Sequence, residues 1–172
     1  MFLLVVLVAG CTQQSALLET QQTQLVTKSV FEMLPVMNDL TTEWKFSGNG
    51  TNETINATGF DSGALSSVRK PSDSTQVVAH IYKFDSIDNA NKYYQTSVDN
   101  QKQEGGYKEI STYGINANCY AGDQDSVTRD IAFVYCIKSN IVFYLRAIVP
   151  YSSGVSDDML TVAKVIPSKI AD

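Results

Sequence analysis

The sequence predicts one α+β domain, in which an antiparallel sheet of about five to six strands packs against two main helices. Segments rich in β-branched and aromatic residues recur between turn residues, and two other segments carry apolar residues at helical spacing. The two clearest strand segments are separated only by Ser139 and Asn140, which is typical of an antiparallel hairpin. A length of 172 residues is enough for a single domain with a substantial core.

The chain opens with the apolar stretch Phe2 to Ala9. As a helix it would span roughly 12 Å, less than half of the ~30 Å hydrocarbon core of a bilayer, so its length fits the apolar region of a signal peptide. No Lys or Arg precedes this stretch, although signal peptides normally begin with a basic segment. We therefore expect translation to start upstream of Met1.

The segment Val8-Ala9-Gly10-Cys11 resembles the prokaryotic lipobox, with an archaeal cell surface as one setting. The resemblance implies that residues 1–10 are removed as a signal peptide and that Cys11 carries a lipid. That lipid would anchor the protein to the extracytoplasmic face of the cell membrane. Residues 11–27 are rich in Gln and Thr and are typical of a tether, which leaves 28–172 as the folded domain. A chance Gly-Cys pair in a buried strand is the alternative.

Cys119 and Cys136 form an even pair once Cys11 is assigned to a lipid. In an oxidising compartment such a pair predicts a disulfide, which would stabilise the fold by about 3 kcal/mol. Two buried thiols are the alternative. The chain has no C-x-x-C motif, so a redox site is disfavoured.

The first part of the domain is predicted to contain a short helix and a polar loop. Ser29 to Leu34 reads as a helix that ends before Pro35, and Trp44 is expected in the core. Residues 47–59 read as an exposed loop. This segment holds three N-x-S/T sequons, at Asn49, Asn52 and Asn56, which are candidate glycosylation sites. A polar loop without sugar is the alternative.

The middle of the chain predicts strands around one helix. Residues 63–69 and 76–84 read as strands joined by a turn, and residues 107–115 as a third strand. Asp85 and Ser86 are expected to cap a helix that runs to about Glu104, because apolar residues recur on one face until Gly105 and Gly106. Cys119-Tyr120 reads as the start of another short strand, and residues 122–130 read as an acidic loop.

The C-terminal part predicts a central hairpin and a last helix. Residues 131–137 and 141–149 are apolar on both faces, so these strands should lie centrally with helices over them. The last helix starts at Ser156 and is ended or kinked by Pro167. The resulting order of strands and helices over roughly residues 30–170 resembles PsbP/Mog1-type domains, which many small extracytoplasmic lipoproteins use. Such a topology does not carry a function.

Charge and motifs exclude several function classes. The net charge is -5, and nucleic-acid binding needs a basic surface. No phosphate-binding loop motif is present, so no nucleotide cofactor is predicted. Asp123 and Asp125 are weak candidates for Ca²⁺ ligands, but the full calcium-loop pattern is absent and a solvated loop is favoured. We predict neither a metal nor a cofactor.

No set of residues indicates catalysis. His80 is the only histidine and lies within a strong strand, which favours a structural role on a half-buried sheet face. The chain has nine tyrosines, and Tyr107 and Tyr151, each beside a Gly or Pro in a loop, are candidate interface residues. Three hypotheses follow: a noncatalytic module that binds an envelope protein or a small ligand, an enzyme of unrecognised type, and a structural accessory of an envelope complex or surface layer. We favour the first.

Overall fold

The structure is a computed structural model that describes residues 24–72, 74–105, 107–124, 130–149 and 155–170. Three α-helices lie in these ranges: α1 (Val30–Met33), α2 (Ile87–Glu104) and α3 (Val155–Ile170), with a 3₁₀ turn at Met37–Asp39. The seven strands are β1 (Lys45–Glu53), β2 (Phe60–Lys70), β3 (Thr75–Phe84), β4 (Lys108–Glu109), β5 (Asn118–Gln124), β6 (Asp130–Lys138) and β7 (Ile141–Val149). The predicted α+β class is confirmed, although the sheet has seven strands rather than five or six. None of the described helices combines the length and apolar character needed to cross a bilayer.

The sheet has the order β1-β2-β3-β7-β6-β5-β4, and all neighbouring strands are antiparallel. The predicted hairpin is formed by β6 and β7, and β7 is the middle strand of the seven. Ser139 in its turn has a positive φ of 55°. The central position of the hairpin is therefore confirmed, as its apolar residues on both faces predicted.

The two long helices pack on opposite faces of the sheet. On one face, Ala79 and Ile81 of β3 belong to the core that includes Met159 and Ile166 of α3, with Trp44 fully buried among them. On the other face, Tyr82 packs with residues of α2. Because successive residues of a strand point to opposite faces, β3 is enclosed on both sides.

The ends of α2 follow the capping pattern in the sequence. The hydroxyl of Ser86 accepts a hydrogen bond from the Asn89 backbone N–H at 3.2 Å. At the other end, Gly105 has a φ of 67°, a backbone conformation that suits glycine. The predicted helix is thus confirmed at both ends.

Several expected boundaries are wrong. The polar segment 47–59 is not a loop throughout, because β1 extends to Glu53 as an edge strand with two irregularities in its register. Regular pairing in the segment 107–115 is limited to Lys108–Glu109, and Gly122 to Gln124 belong to β5 rather than to an acidic loop. The last helix continues past Pro167 to Ile170. Backbone pairing with a neighbouring strand outweighs the turn-forming composition in the first of these segments.

The N-terminal segment is attached to the domain earlier than predicted. The backbone N–H of Val26 donates to Oδ1 of Asn140 at 2.7 Å, and Ser139 Oγ donates to the carbonyl of Gln24 at 2.7 Å. Val26 and Gln24 both precede residue 28, where the folded domain was expected to start. Residues 1–23, and with them Cys11 and the proposed signal peptide, lie outside the described residues.

Cys119 and Cys136 form a disulfide between neighbouring strands. They are direct register partners in the pair β5–β6, and their Cα atoms are 4.1 Å apart. Cys136 is fully buried on the face of the sheet that packs against α3. The predicted pairing is confirmed.

Candidate ligand-binding face

Four aromatic residues from four neighbouring strands form a row on the α2 face of the sheet. These residues, which we call the aromatic row, are His80 of β3, Tyr144 of β7, Tyr135 of β6 and Tyr120 of β5; each is the register partner of the next. The ring centroids of His80 and Tyr144 are 5.4 Å apart, and those of Tyr144 and Tyr135 are 4.3 Å apart, both stacked. Neighbouring strands lie about 4.8 Å apart, so the pairing register itself sets this spacing.

Helix α2 covers only part of this face. The residues of the adjacent register level, Tyr82, Val142 and Ile137, are buried beneath α2. All four members of the aromatic row are only half-buried. On the far side of the row from α2, Val78 is half-buried and Arg146 is exposed. Within the part of the chain that the structure describes, the face is therefore open at Val78 and Arg146, whereas Phe133, the register partner of Arg146 on β6, is buried.

A carboxylate fixes the first residue of the row. The Nδ1 atom of His80 lies 2.8 and 2.9 Å from the two carboxylate oxygens of Glu53, which comes from the edge strand β1. Because a carboxylate oxygen accepts, His80 donates through Nδ1–H. The negative charge of Glu53 also acts on the buried Tyr82 hydroxyl and raises its pKa, after the larger effect of burial. His80 lies half-buried on the sheet, as its place in the sequence indicates.

Glycine at position 63 allows Glu53 to reach His80. Glu53 is the register partner of Gly63, which in turn is opposite Tyr82, so the Glu53 side chain must pass over β2 to contact β3. A Cβ atom on Gly63 would lie 2.9 Å from the Glu53 carbonyl oxygen and 3.1 Å from the ring of Phe60. Any larger residue would have to displace the edge strand that carries Glu53.

The tyrosine hydroxyls on this face stay protonated at physiological pH. Burial raises the pKa of Tyr82 far above its ordinary value, and the negative charge of Glu53 raises it further. Burial and then the neighbouring Tyr144 raise the pKa of Tyr135 in the same way. Tyr144 also has a raised pKa because of burial, which the positive charge of Arg146 partly opposes. The face therefore presents neutral hydroxyls beside one guanidinium.

The far end of the row is packed by aromatic and cationic side chains. The ammonium of Lys102 lies 4.8 Å from the ring centroid of Tyr120. Tyr107, predicted as an exposed interface residue, is half-buried and packs edge-on against Phe133 with ring centroids 4.8 Å apart. Gly122 lies directly beneath these rings, since a Cβ there would be 2.6 Å from Phe133. Tyr107 thus covers Phe133 and Gly122 on the same face of the sheet as the row.

The other predicted sites do not gather at the aromatic row. Asn49 and Asn52 belong to the edge strand β1, Asn56 follows it, and Asn52 and Asn56 are exposed. Asp123 is half-buried in β5. Asp125 and Tyr151 lie outside the described residues. In the described ranges, no group of three or more His, Cys, Asp or Glu side chains is arranged to hold a metal ion.

Three residues of this face, Glu53, Tyr135 and Arg146, were not predicted from the sequence. The signal for Tyr135 and Arg146 was the alternation along the hairpin, because both fall on the face opposite the α3 core once the strands are paired around Ser139 and Asn140. Glu53 carried no such signal, since the segment around it read as a loop.

An apolar groove lies on the α3 face of the sheet, beside the edge strand β1. A groove of about 220 Å³ is lined by Phe31, Leu34, Pro35, Val36, Phe46, Gly50 and Ser66. Phe31, Val36 and Phe46 are unusually exposed for large apolar residues, at 42%, 43% and 37%. Ser66 is almost fully buried, and its hydroxyl has no hydrogen-bond partner among the described residues. We call this feature the apolar groove.

Among solved structures, the chain resembles the extracellular domain of PknH from Mycobacterium tuberculosis, with a TM-score of 0.59. The two chains are 12% identical, and the match covers 81% of this chain and 94% of that domain. At this identity the likeness concerns the fold alone. Neither the protein-family models nor the curated proteins give a match to the chain.

Proposed function

We propose that this protein is a noncatalytic binding module at the extracytoplasmic face of a membrane, and that its ligand contacts the aromatic row. The single observation that carries the proposal is the open half of the α2 face, where half-buried rings from four strands stand beside the exposed Arg146. A sheet face lined by aromatic side chains with a few polar groups is typical of a binding surface.

The rigidity of the row also favours binding. Its rings stand on the central strands of the sheet, and Glu53 holds His80 in one orientation. A site on paired strands needs little ordering when a ligand binds, which lowers the entropic cost of association. His80 makes hydrogen bonds only to Glu53 among the described residues, so no nucleophile is paired with it.

Three separate features support the proposed extracytoplasmic location. The lipobox resemblance at Cys11 supports a lipid anchor, and the Cys119–Cys136 disulfide fits an oxidising compartment. The likeness in fold to an extracellular domain agrees with both. Exposed sequons at Asn52 and Asn56 are accessible for glycosylation in such a compartment. An intact mass of the protein from its native membrane tests the anchor, since removal of residues 1–10 and addition of lipid change the mass in opposite directions.

A photo-crosslinking experiment tests the binding site. A benzoylphenylalanine at Val78, which is half-buried beyond the row, should capture the ligand or partner in intact cells that make the protein. The same residue at Asn91, which is exposed on α2, is the control position. We expect a product from position 78 alone, and its loss when Tyr135→Ala and Tyr144→Ala are added. Identical products from both positions, or none from position 78, would count against the proposal.

The apolar groove favours a second candidate, a structural accessory that docks in a larger envelope complex. Exposed apolar patches of this kind are uncommon on isolated monomers and often mark protein contacts. Val36→Ser and Phe46→Ser should then release the native protein from a large assembly in sedimentation. Tyr113→Ser, at a residue 91% exposed and outside the groove, is the matched control and should have no effect.

A further inference from the structure

An exposed guanidinium, that of Arg146, stands beside the aromatic row. Arg146 is exposed, and it forms neither a salt bridge nor a side-chain hydrogen bond within the described residues. It lies two residues after Tyr144 on β7, so both side chains stand on the same face of the sheet, about 7 Å apart along the strand. In a protein of net charge -5, an exposed cation that forms no ion pair with another described residue is a place for an anion.

A hydroxyl donor stands next to this cation. The rings of Tyr135 and Tyr144 are stacked, with centroids 4.3 Å apart. Within the ranges that the structure describes, the Tyr144 hydroxyl is not seen to donate a hydrogen bond, so its proton is available to a ligand. A hydroxyl and a guanidinium together provide the two kinds of donor that a carboxylate accepts, and Arg can bind its two oxygens in parallel.

Two aliphatic side chains lie beside this pair on the side of the edge strands. Val78 is the register partner of Arg146, and Leu65 is the register partner of His80, so both lie on the same face as the row. Both are half-buried. Ser67, the register partner of Val78 on β2, is uncharged, and its hydroxyl accepts a hydrogen bond from Nε2 of Gln76 at 2.8 Å. A ligand held at Arg146 would therefore place its adjoining atoms against these two aliphatic side chains.

One nearby negative charge limits how much anionic charge the site accepts. The negative charge of Glu104, at the end of α2, raises the pKa of both Tyr135 and Tyr144 in addition to the effect of burial. The Glu104 carboxylate also accepts a hydrogen bond from Nε2 of Gln101 at 3.1 Å. The carboxylate of Glu53, also on this face, accepts a hydrogen bond from His80. With a single guanidinium close by and Glu104 opposing it, a monoanion is accommodated better than a phosphate dianion.

We infer that Arg146 and the Tyr144 hydroxyl bind the carboxylate of an organic acid, whose apolar body lies on Val78 and Leu65. This inference rests on the proposed binding function and names the class of ligand for the same site. Lys102, over the ring of Tyr120, adds a second positive charge at the other end of the row. The ligand is thus an organic monocarboxylate rather than a neutral molecule or a cation.

Benzoate and benzamide form a matched pair of probes, because they have the same shape and differ in charge. Each is titrated into the intact protein while the methyl resonances of Val78 and Leu65 are followed by NMR. We expect benzoate to bind saturably and benzamide to bind at least about tenfold more weakly, as charge-assisted hydrogen bonds require. Equal affinities for the two probes, or no saturable binding of benzoate, would overturn the inference.

Four variants separate the contributions of individual side chains. Arg146→Gln should weaken benzoate about tenfold, with Arg146→Lys between it and the unmodified protein, and Tyr144→Phe should weaken it severalfold. Glu104→Gln should strengthen binding about twofold, because a repulsive charge is removed. Lys92→Gln, on the exposed face of α2, removes one positive charge away from the row and should leave the affinity unchanged. An equal loss in Arg146→Gln and Lys92→Gln would show only a general charge effect and would contradict the assignment.

Two further results distinguish this inference from the proposed function. If inorganic phosphate binds as tightly as benzoate, the carboxylate assignment is wrong. If benzoate fails while the crosslink at position 78 still depends on Tyr135 and Tyr144, the face binds a ligand of another class, and only the carboxylate inference is lost. Loss of both signals would overturn both proposals.

Discussion

The side chain of Asn140 bonds to Val26, 114 positions earlier in the chain, and fixes the point where the N-terminal segment meets the sheet. Its Oδ1 accepts the Val26 N–H at 2.7 Å, and its Nδ2 donates to the carbonyl of Phe84 at 2.7 Å. Asn140 is only 1% exposed, so neither bond can be replaced by water without local opening. One side chain therefore joins the β6–β7 turn, the end of β3 and the entering chain.

Replacing Asn140 should destabilise the whole domain. Asn140→Ala leaves the Val26 N–H and the Phe84 carbonyl without their partners, and we expect a loss of about 2–3 kcal/mol in the free energy of unfolding. Asn140→Asp keeps the acceptor for Val26 but turns a carboxylate oxygen toward the Phe84 carbonyl, so it should also destabilise. Urea denaturation measures both, with Asn91→Ala on the exposed side of α2 as the control. An effect of Asn140→Ala within about 0.5 kcal/mol would contradict this account.

Reduction of the Cys119–Cys136 disulfide should lower stability without unfolding the protein. The bond closes a loop of 17 positions, for which chain-entropy arguments give about 3 kcal/mol. The double variant Cys119→Ala with Cys136→Ala should show a similar loss, and its Tm should not change when a reductant is added. Denaturation with and without reductant tests the expectation, and equal stability under both conditions would refute it.

The carboxylate of Glu53 should stabilise the edge of the sheet. Glu53→Ala removes the acceptor of the half-buried His80 Nδ1–H, and should cost about 2 kcal/mol. Glu53→Gln keeps an oxygen that can accept this bond, so its loss should be smaller. Hydrogen exchange of the β1 and β2 amides reports the change, which should be larger there than in α3. A uniform change across the domain would argue against a local role.

Alkaline pH should destabilise the protein through its buried tyrosines. Burial raises the pKa of Tyr135 and Tyr82 in the folded state above the ordinary value near 10, so the unfolded state loses these protons first. Their contribution is complete below pH ~10 and declines as pH rises further, by about 1 kcal/mol per pH unit for each tyrosine that stays protonated. Tyr135→Phe should give a shallower decline, because one such group is removed. Parallel stability curves for the two proteins would disprove the assignment.

Native mass analysis tests the predicted modifications of the chain. Peptides that contain Asn52 and Asn56 should carry hexose-type increments if the exposed sequons are used, whereas Asn52→Gln and Asn56→Gln should each remove one. An unmodified pair of peptides from the native membrane would show that these sequons are unused. The same preparation from the native membrane serves for the intact mass that tests the proposed lipid at Cys11.

Local chemistry predicted those elements that depend on near neighbours along the chain. Ser86 and Gly105 delimit α2, and the apolar residues around Ser139 and Asn140 identify the hairpin, because capping and turn formation involve residues a few positions apart. The segment at Glu53 was read as a loop, since its Asn, Gly and Thr residues favour turns; only pairing with β2 makes it a strand. The same pairing carries Glu53 to His80, a contact that has no trace in local composition.

The sequence by itself determined the α+β class, the central hairpin, the Cys119–Cys136 pair and the likeness to a lipid-anchored chain. These follow from patterns that recur within short stretches and from counts of rare residues. Only the tertiary structure decided which tyrosines meet. The register of four antiparallel strands brings His80, Tyr144, Tyr135 and Tyr120 into one row, and a shift by one residue would turn each of them to the other face. The physical reason is that register is set by core packing against α2 and α3, which short-range sequence patterns do not contain.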